Sequence, residues 1–328
     1  MSKILFISGA PHIHSSESVK KIMWGVVIAL IPTLLVSVFF FGFAALSLVG
    51  VSVAACLFFE WAITKYLLKR PSTVGDGSAM ITGLLLAFNL PPELPFWMVI
   101  LGAFVAIGIA KMAFGGLGNN PFNPALVGRA FLLVSFPVEM TKWTAPKPLF
   151  GNFAVDATTG ATPLSYIKEM LGNGMGMNEI LANLHASDLF LGMSAGSLGE
   201  VSELAILIGG VYMLYKRIIS WHVPVAFVGC AFVFTSILWM VDPTQFIPPT
   251  IHLVSGGMLL GAVFMATDMV TSPMTSAGKL IFGAFCGILT ILIRDFGAYP
   301  EGVSFAILIM NAFVPLLNRL FPPKRFGY

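Results

Sequence analysis

Long apolar runs separated by short polar segments dominate the sequence. Seven runs reach the roughly 20 apolar residues that a helix needs to cross a membrane. They cover residues 22–42, 43–67, 94–114, 203–219, 221–240, 277–293 and 302–320. Three shorter runs, at 77–90, 123–137 and 252–267, contain Gly, Ser or Asn, which is typical of broken helices that line an internal site. The pattern predicts an all-α integral membrane protein with ten transmembrane segments.

Composition excludes most other classes of protein. Apolar residues make up 57% of the 328 residues and charged residues only 10%, against a usual charged share of about 25%. These proportions argue against a soluble enzyme, a secreted disulfide scaffold, a disordered regulator and an outer-membrane barrel of short alternating strands. The net charge of +3 does not indicate a nucleic-acid partner, because the basic residues follow the membrane topology.

The positions of the basic residues predict the orientation of the chain. Lys and Arg concentrate in cytoplasmic loops. One orientation of ten spans, with both termini in the cytoplasm, places most of the 18 basic residues on that side. These are Lys3, Lys20, Lys21, Lys65, Lys69, Arg70, Lys111, Lys216, Arg217, Lys279, Arg319, Lys324 and Arg325.

The two halves of the predicted bundle resemble each other. Three short motifs recur in order, 178, 181 and 182 residues later: Met80-x-x-Gly83 as Met258-x-x-Gly261, Gly102-Ala103-Phe104 as Gly283-Ala284-Phe285, and Arg129-Ala130-Phe131 as Asn311-Ala312-Phe313. A unit of five spans is odd-numbered, so its second copy must enter the membrane upside down. The pattern therefore predicts two inverted five-span repeats, with a site near the midplane between broken helices.

The predicted chain has five parts. They are a cytoplasmic N-terminal segment (1–21), the first five-span repeat (22–137), an extracytoplasmic loop (138–201), the second five-span repeat (202–320) and a cytoplasmic tail (321–328). The loop contains no apolar run of span length, and we expect short helices at 163–171 and 178–184. A long loop between membrane halves is usually functional or disordered.

The loop contains a hydroxyl-rich stretch at residues 156–164, Asp-Ala-Thr-Thr-Gly-Ala-Thr-Pro-Leu. Pro163 is suited to the first position of a helix. Thr162 would then directly precede the helix N–H groups, which favour a phosphate. The alternative interpretation is an ordinary Thr-rich helix start.

The pattern Asp-x-x-(Ser/Thr)-Gly-Ala-Thr resembles the flavinylation motif of a family that contains the D subunits of Rnf complexes and the B subunits of sodium-pumping NADH:quinone oxidoreductases. Its five constrained positions would match by chance in roughly one chain in a thousand of this length, so the motif is specific. The resemblance implies covalent FMN on Thr162 through a phosphoester, a recognition stretch of Asp156, Thr159, Gly160 and Ala161, and a flavin transferase for maturation.

Three further stretches extend the resemblance over nearly the whole chain, at residues 11–13, 115–125 and 295–302. The short segment before the first span favours the Rnf branch, since the quinone-reducing relative typically has a longer one. That branch implies a subunit of a translocase in the bacterial inner membrane. It implies electron transfer between ferredoxin and NAD coupled to Na⁺ or H⁺ movement, a noncovalent riboflavin, and A, B, C, E and G subunits as partners. The ferredoxin and NAD chemistry would belong to those partners.

Polar residues at the short segments are candidates for the second flavin or for an ion. They are Asn119, Asn120, Asn123 and Asp268, whose carbonyl and carboxylate oxygens could bind a ligand beside a helix break. A tight re-entrant turn that requires Gly and Asn is the alternative for the asparagines, and helix capping is the alternative for Asp268. Glu60 and Lys111 are expected near span ends, where long side chains reach water.

Other chemistry finds little support in the sequence. The five His and three Cys have no metal-ligand spacing, so we expect no metal bound by this chain alone. Residues 196–200 could form a turn that faces the flavin, or cap the next helix through Ser197 or Ser202. Two other functions stay open: a passive solute channel on the same repeat, and the quinone-reducing relative. The channel leaves the motif at 156–162 unexplained.

Overall fold

The computed structural model describes residues 17–144, 146, 159–182, 195–200, 202–297 and 301–323. The α-helices and β-strands are α1 (Val19–Ala62), α2 (Ser78–Phe88), α3 (Phe96–Phe104), α4 (Pro124–Ser135), α5 (Pro137–Met140), β1 (Trp143–Thr144), β2 (Thr159–Gly160), α6 (Pro163–Gly172), α7 (Met177–Ala182), α8 (Glu203–Tyr215), α9 (His222–Val241), α10 (Pro249–Leu253), α11 (Met258–Leu260), α12 (Ser276–Phe296) and α13 (Val303–Leu320). Single turns of π- or 3₁₀-helix extend α1 to Leu67, α3 to Ile109 and α11 to Met265, and short 3₁₀ turns occupy Val74–Asp76 and Met112–Phe114.

The described chain is helical, with one small antiparallel strand pair. Five helical stretches are long and apolar enough to cross a membrane: Val19–Leu67, Phe96–Phe114, His222–Val241, Ser276–Phe296 and Val303–Leu320. Three shorter apolar helices, α2, α4 and α8, accompany them. This confirms the prediction of an all-α membrane protein.

Helix α1 is two helical segments joined at a sharp break. Its 44 residues would extend about 66 Å at ~1.5 Å per residue, twice the ~30 Å of a membrane core. At Gly42 the backbone has φ 61° and ψ −137°, a conformation that is readily open only to glycine. The break lies at the boundary between the predicted spans 22–42 and 43–67.

Two of the predicted spans are shorter or more interrupted than expected. The run at 203–219 forms the 13-residue helix α8, which begins after Ser202, whose hydroxyl accepts a hydrogen bond from the Ala205 N–H. The run at 252–267 is divided between α10 and α11, because Gly256 and Gly257 have φ of 67° and 62°. A left-handed pair of this kind ends one helix before the next begins.

The helices pack as one core, and the loop elements dock on it through a smaller one. Helix α1 lies against α2, α3 and α8, while α9 runs along α12 and α13 contacts both α12 and α4. Helices α6 and α7 lie close to the predicted bounds 163–171 and 178–184. Their buried side chains pack on the chain around α10, in a cluster of Leu164, Ile167, Met177, Ile180, Ile247 and Ile251.

Candidate functional site

Thr162 is the N-cap residue of α6. Its backbone is extended (φ −63°, ψ 154°), and its hydroxyl accepts a hydrogen bond from the N–H of Ser165 at 3.2 Å. The hydroxyls of Thr162 and Ser165 lie 2.8 Å apart, and Pro163 occupies the first helical position. The side chain is therefore held where the N-terminal N–H groups of α6 favour negative charge.

The neighbourhood of Thr162 is tightly packed. Thr162 is only 3% exposed. Strand β2 pairs with β1, with Gly160 opposite Trp143, and a Cβ placed on Gly160 would lie 3.2 Å from Cβ of Ala195. Any group attached to the Thr162 hydroxyl therefore requires neighbouring side chains to move aside.

The predicted recognition stretch is divided by the structure. Thr159 and Gly160 form β2, and the exposed Ala161 joins that strand to Thr162. Asp156 lies outside the described residues. The hydroxyl at a helix start is the chemistry that a phosphoester requires, so the described residues fit an attached FMN once the packed side chains around Thr162 have moved aside.

Helix α6 is anchored to the membrane helices by a charged side chain. Lys168 Nζ donates a hydrogen bond to the Gly297 carbonyl at 2.9 Å, just beyond the end of α12. Burial lowers the pKa of Lys168 below its ordinary value, while the nearby carboxylate of Asp295 acts in the opposite direction. With the apolar cluster, this contact fixes where α6 begins and therefore where Thr162 lies.

Three of the four residues predicted for a second site line one cavity. Asn120, Asn123 and Asp268 face it together with Lys111 and Ser78. The cavity volume is about 80 Å³, several times the roughly 10–15 Å³ that one water needs. Most of the wall is apolar, with contributions from Ile22, Met23, Val26, Ile81, Leu85, Met213 and Phe264. Apolar walls with a few convergent polar groups are typical of sites for small organic ligands.

The cavity residues differ in how far their hydrogen bonds are satisfied. Asn123 caps α4, and its Nδ2 donates to the Met265 carbonyl at 3.2 Å. Asp268 accepts from the Thr271 hydroxyl at 3.0 Å and from the Val270 N–H at 3.4 Å. Asn120 is 4% exposed, and its Oδ1 has no hydrogen-bond partner among the described residues. Asn119 is exposed and lies outside the cavity lining.

Lys111 and Glu60 do not reach water, contrary to the expectation for span ends. Lys111 Nζ lies 2.6 Å from Glu60 Oε2 and 2.7 Å from the Ser78 hydroxyl. The two side chains are 2% and 1% exposed. Glu60 Oε1 accepts a further hydrogen bond from the Thr73 hydroxyl at 2.7 Å. The pairing satisfies both charges inside the protein, which separate stretches of sequence cannot indicate.

A second buried ion pair joins two helices that are distant in sequence. Arg129 on α4 is paired with Glu301, which precedes α13, and also donates to Asn89 Oδ1 at 2.5 Å. Arg129 and Glu301 are 4% and 7% exposed. The sequence patterns assigned neither Arg129 nor Glu301 to a candidate site. The available signal was that Arg129 is a charged residue inside the short apolar run 123–137 and that Glu301 directly precedes the run 302–320.

Comparisons with known proteins give a consistent result. Residues 6–327 match the NQR2, RnfD, RnfE family. The chain is 43% identical to the D subunit of the proton-translocating ferredoxin:NAD(+) oxidoreductase complex of Clostridium ljungdahlii, covering 99% of this chain and 96% of the relative. It is 44% identical to the D subunit of the Na(+)-translocating ferredoxin:NAD(+) oxidoreductase complex of Acetobacterium woodii, covering 98% and 95%. It is 39% identical to the D subunit of the ion-translocating oxidoreductase complex of Yersinia enterocolitica, covering 98% of each.

Proposed function

Because the chain belongs to the NQR2, RnfD, RnfE family, we propose that it is the membrane subunit of an ion-translocating ferredoxin:NAD oxidoreductase complex and that it carries covalent FMN on Thr162. The observation that carries the flavin assignment is the position of Thr162 at the N-terminus of α6. The motif at residues 156–162 supports it independently.

Bound FMN supplies reversible electron transfer, and the protein holds and orients it. Thr162 provides the oxygen of the phosphoester, and the N-terminal turn of α6 favours the phosphate charge. Ser165, whose N–H and hydroxyl both contact the Thr162 oxygen, is placed to hydrogen-bond the attached phosphate. A covalent link keeps the carrier in place without relying on binding affinity.

The test is covalent flavin fluorescence in a denaturing gel, on protein coexpressed with its flavin transferase. We expect a fluorescent band for the wild type and none for Thr162→Ala, because only that hydroxyl forms the ester. Thr158→Ala is the matched control within the same motif and should keep its fluorescence. A dark wild-type band would contradict the proposal and favour a passive channel.

The cavity around Asn120, Asn123 and Asp268 is the proposed site of the noncovalent riboflavin. Its apolar wall suits the ring system, and the Asn120 oxygen, which has no hydrogen-bond partner among the described residues, offers an acceptor. The volume of about 80 Å³ is below the roughly 300 Å³ at which usual small-molecule sites begin, so riboflavin binding requires the lining side chains to move apart. Since the cavity is formed by other residues than Thr162, the Thr162→Ala protein should still release riboflavin on denaturation. A loss of all flavin in that variant would contradict separate sites.

The positions of the helices support the ten-span inverted repeat. Helices α2, α3 and α4 begin at Ser78, Phe96 and Pro124, and α11, α12 and α13 begin at Met258, Ser276 and Val303. These starts are 180, 180 and 179 residues apart, close to the separation of the repeated motifs. Gly77 and Gly257, which precede the first pair, both have positive φ. The proposed topology places both termini in the cytoplasm of a bacterial cell and the loop at 138–201 outside.

The proposal covers either Na⁺ or H⁺ as the transported ion. The relatives named as proton- and Na(+)-translocating are 43% and 44% identical to this chain, so overall similarity does not separate the two. The proposed partners are the A, B, C, E and G subunits, which would bind ferredoxin and NAD. A quinone-reducing complex is the second candidate, because its subunit belongs to the same family.

A further inference from the structure

A group of charged residues, all buried except the half-buried Glu200, lies where residues 195–200 meet the start of α8. It contains the carboxyl groups of Glu200, Glu203 and Glu301 and the guanidinium groups of Arg129 and Arg294. Glu203 and Arg294 are each 1% exposed. Glu200 and Arg294 each interact electrostatically with the carboxyl groups of Glu203 and Glu301. We refer to these five residues as the glutamate cluster.

The two arginines donate their hydrogen bonds to groups other than Glu203. Arg294 donates to the carbonyls of His252, Ser255 and Gly256, at 2.7, 2.8 and 2.8 Å. These carbonyls belong to the break between α10 and α11, so the guanidinium replaces helix hydrogen bonds that the break removes. Arg129 donates to Asn89 and Glu301. Neither guanidinium donates a hydrogen bond to Glu203.

Within the described part of the chain, Glu203 has no hydrogen-bond partner. Both of its carboxylate oxygens are buried and unpaired among the described residues, as is one oxygen each of Glu200 and Glu301. Burying an ionised carboxylate without a partner is strongly unfavourable, and such a group normally becomes neutral. The cluster therefore has acceptor oxygens available and lacks a positive charge to occupy them.

The charges of the cluster do not balance. Three carboxyl groups face two guanidiniums, which leaves one negative charge in excess. Outside these five residues, the Asp295 carboxylate is balanced by the nearby Lys168. His252 Nε2 lies 3.4 Å from Asp295 Oδ1 and adds a positive charge only when it is protonated. Neither Lys168 nor His252 pairs with the Glu203 oxygens. A single bound positive charge would neutralise the group.

The geometry points to one proton held by the glutamate cluster, with Glu203 as its main site. A proton is favoured over a metal ion for two reasons. No group of three or more His, Cys, Asp or Glu within the described part of the chain is arranged to hold a metal. The backbone carbonyls at the nearby break, which could otherwise serve as ligands, already accept from Arg294. A proton bound to a carboxyl group, unlike a metal ion, needs no set of further ligands.

One member of the glutamate cluster, Arg294, lies close to the helix that follows Thr162. A Cβ placed on Gly256 would be 2.6 Å from Nη2 of Arg294 and 2.9 Å from Cδ1 of Leu164. Leu164 is in the first turn of α6, two residues after Thr162. Arg294 and the first turn of α6 therefore meet at Gly256. The proposal does not depend on the flavin, since it follows from the charges of the protein alone.

Infrared spectroscopy of the purified complex in lipid nanodiscs tests the proposal. A protonated carboxyl group gives a C=O stretching band that shifts on exchange into D₂O. At pH 7 we expect this band in the wild type and a loss of amplitude in Glu203→Gln. Glu93→Gln is the matched control, because Glu93 is exposed in the turn between α2 and α3, and it should leave the band unchanged. Thr162→Ala should also keep the band, which separates this test from that of the flavin.

Two results would overturn the proposal. The first is a Glu203→Gln spectrum identical to the wild type. The second is disappearance of the band when Na⁺ is added at constant pH, which would make the cluster a cation site. If Glu203→Gln does not assemble, Glu203→Asp provides the same test: it keeps a carboxyl group in a changed position, so the band should shift, and an unshifted band would overturn the assignment.

Discussion

The buried charges around Lys111 and those of the glutamate cluster are built in opposite ways. Lys111 is paired directly with Glu60, and both Glu60 oxygens and the ammonium have close partners. In the glutamate cluster the carboxyl groups outnumber the guanidiniums, and both Glu203 oxygens are unpaired. A complete ion pair stabilises one arrangement of helices, whereas a group with unpaired carboxylate oxygens can still bind a positive charge.

Breaking the complete pair should have the largest effect on stability. Lys111→Met leaves Glu60 as an uncompensated buried charge, a loss that typically costs about 3–5 kcal/mol. We expect a clear drop in the apparent melting temperature of the detergent-solubilised protein. The control is Lys65→Met, since Lys65 is exposed over the Trp61 ring.

Adding Glu60→Gln to Lys111→Met should recover part of the loss, because both charges are then gone. Equal melting temperatures for the two single Lys variants would contradict the buried pair.

Two glycines at positive φ, Gly77 before α2 and Gly256 between α10 and α11, should differ in how they tolerate a side chain. Gly77→Ala and Gly256→Ala both place a Cβ at positive φ, which costs about 1–2 kcal/mol. At Gly77 the nearest atoms to that Cβ are 3.5 Å away, whereas at Gly256 Nη2 of Arg294 lies at 2.6 Å. Arg294 is held by three hydrogen bonds and cannot move freely, so overpacking should add about 1–3 kcal/mol.

Thermal unfolding of the two glycine variants side by side measures this difference. A lower melting temperature for Gly77→Ala than for Gly256→Ala would contradict the close packing of Arg294 against Gly256.

The smallest effect is expected for Glu203→Gln. If Glu203 already carries a proton, glutamine replaces it with a neutral group of nearly the same shape, and the melting temperature should hardly change. Glu60→Gln is the matched comparison and should lower it strongly, because Lys111 then loses its counter-charge. Similar losses for both variants would mean that Glu203 is ionised in the folded protein.

Local patterns predicted the class of protein and the place of Thr162. Apolar runs reveal membrane helices because the requirement for about 20 apolar residues is local. The N-cap role of Thr162 is also local, since Pro163 and the hydroxyl act within one turn. Asp156 lies outside the described residues, so its role stays a prediction.

The apolar patterns alone could not show where helices stop inside the bundle. The run at 252–267 was expected as one short segment but forms two helices, and the run at 203–219 forms a shorter one. Hydropathy indicates only that a segment is apolar enough to be buried. The backbone conformation of the run at 252–267 is determined by Gly256 and Gly257 and by the hydrogen bonds from Arg294 to backbone carbonyls.

By itself, the sequence determined that this is an all-α membrane protein of the NQR2, RnfD, RnfE family with a hydroxyl at a helix start. Only the tertiary structure decided which charges are paired. Lys111 meets Glu60 across 51 residues and Arg129 meets Glu301 across 172, while Glu203 meets no partner among the residues that the structure describes. Such pairing depends on which helices pack together, and no local pattern encodes the distance between two side chains on different helices.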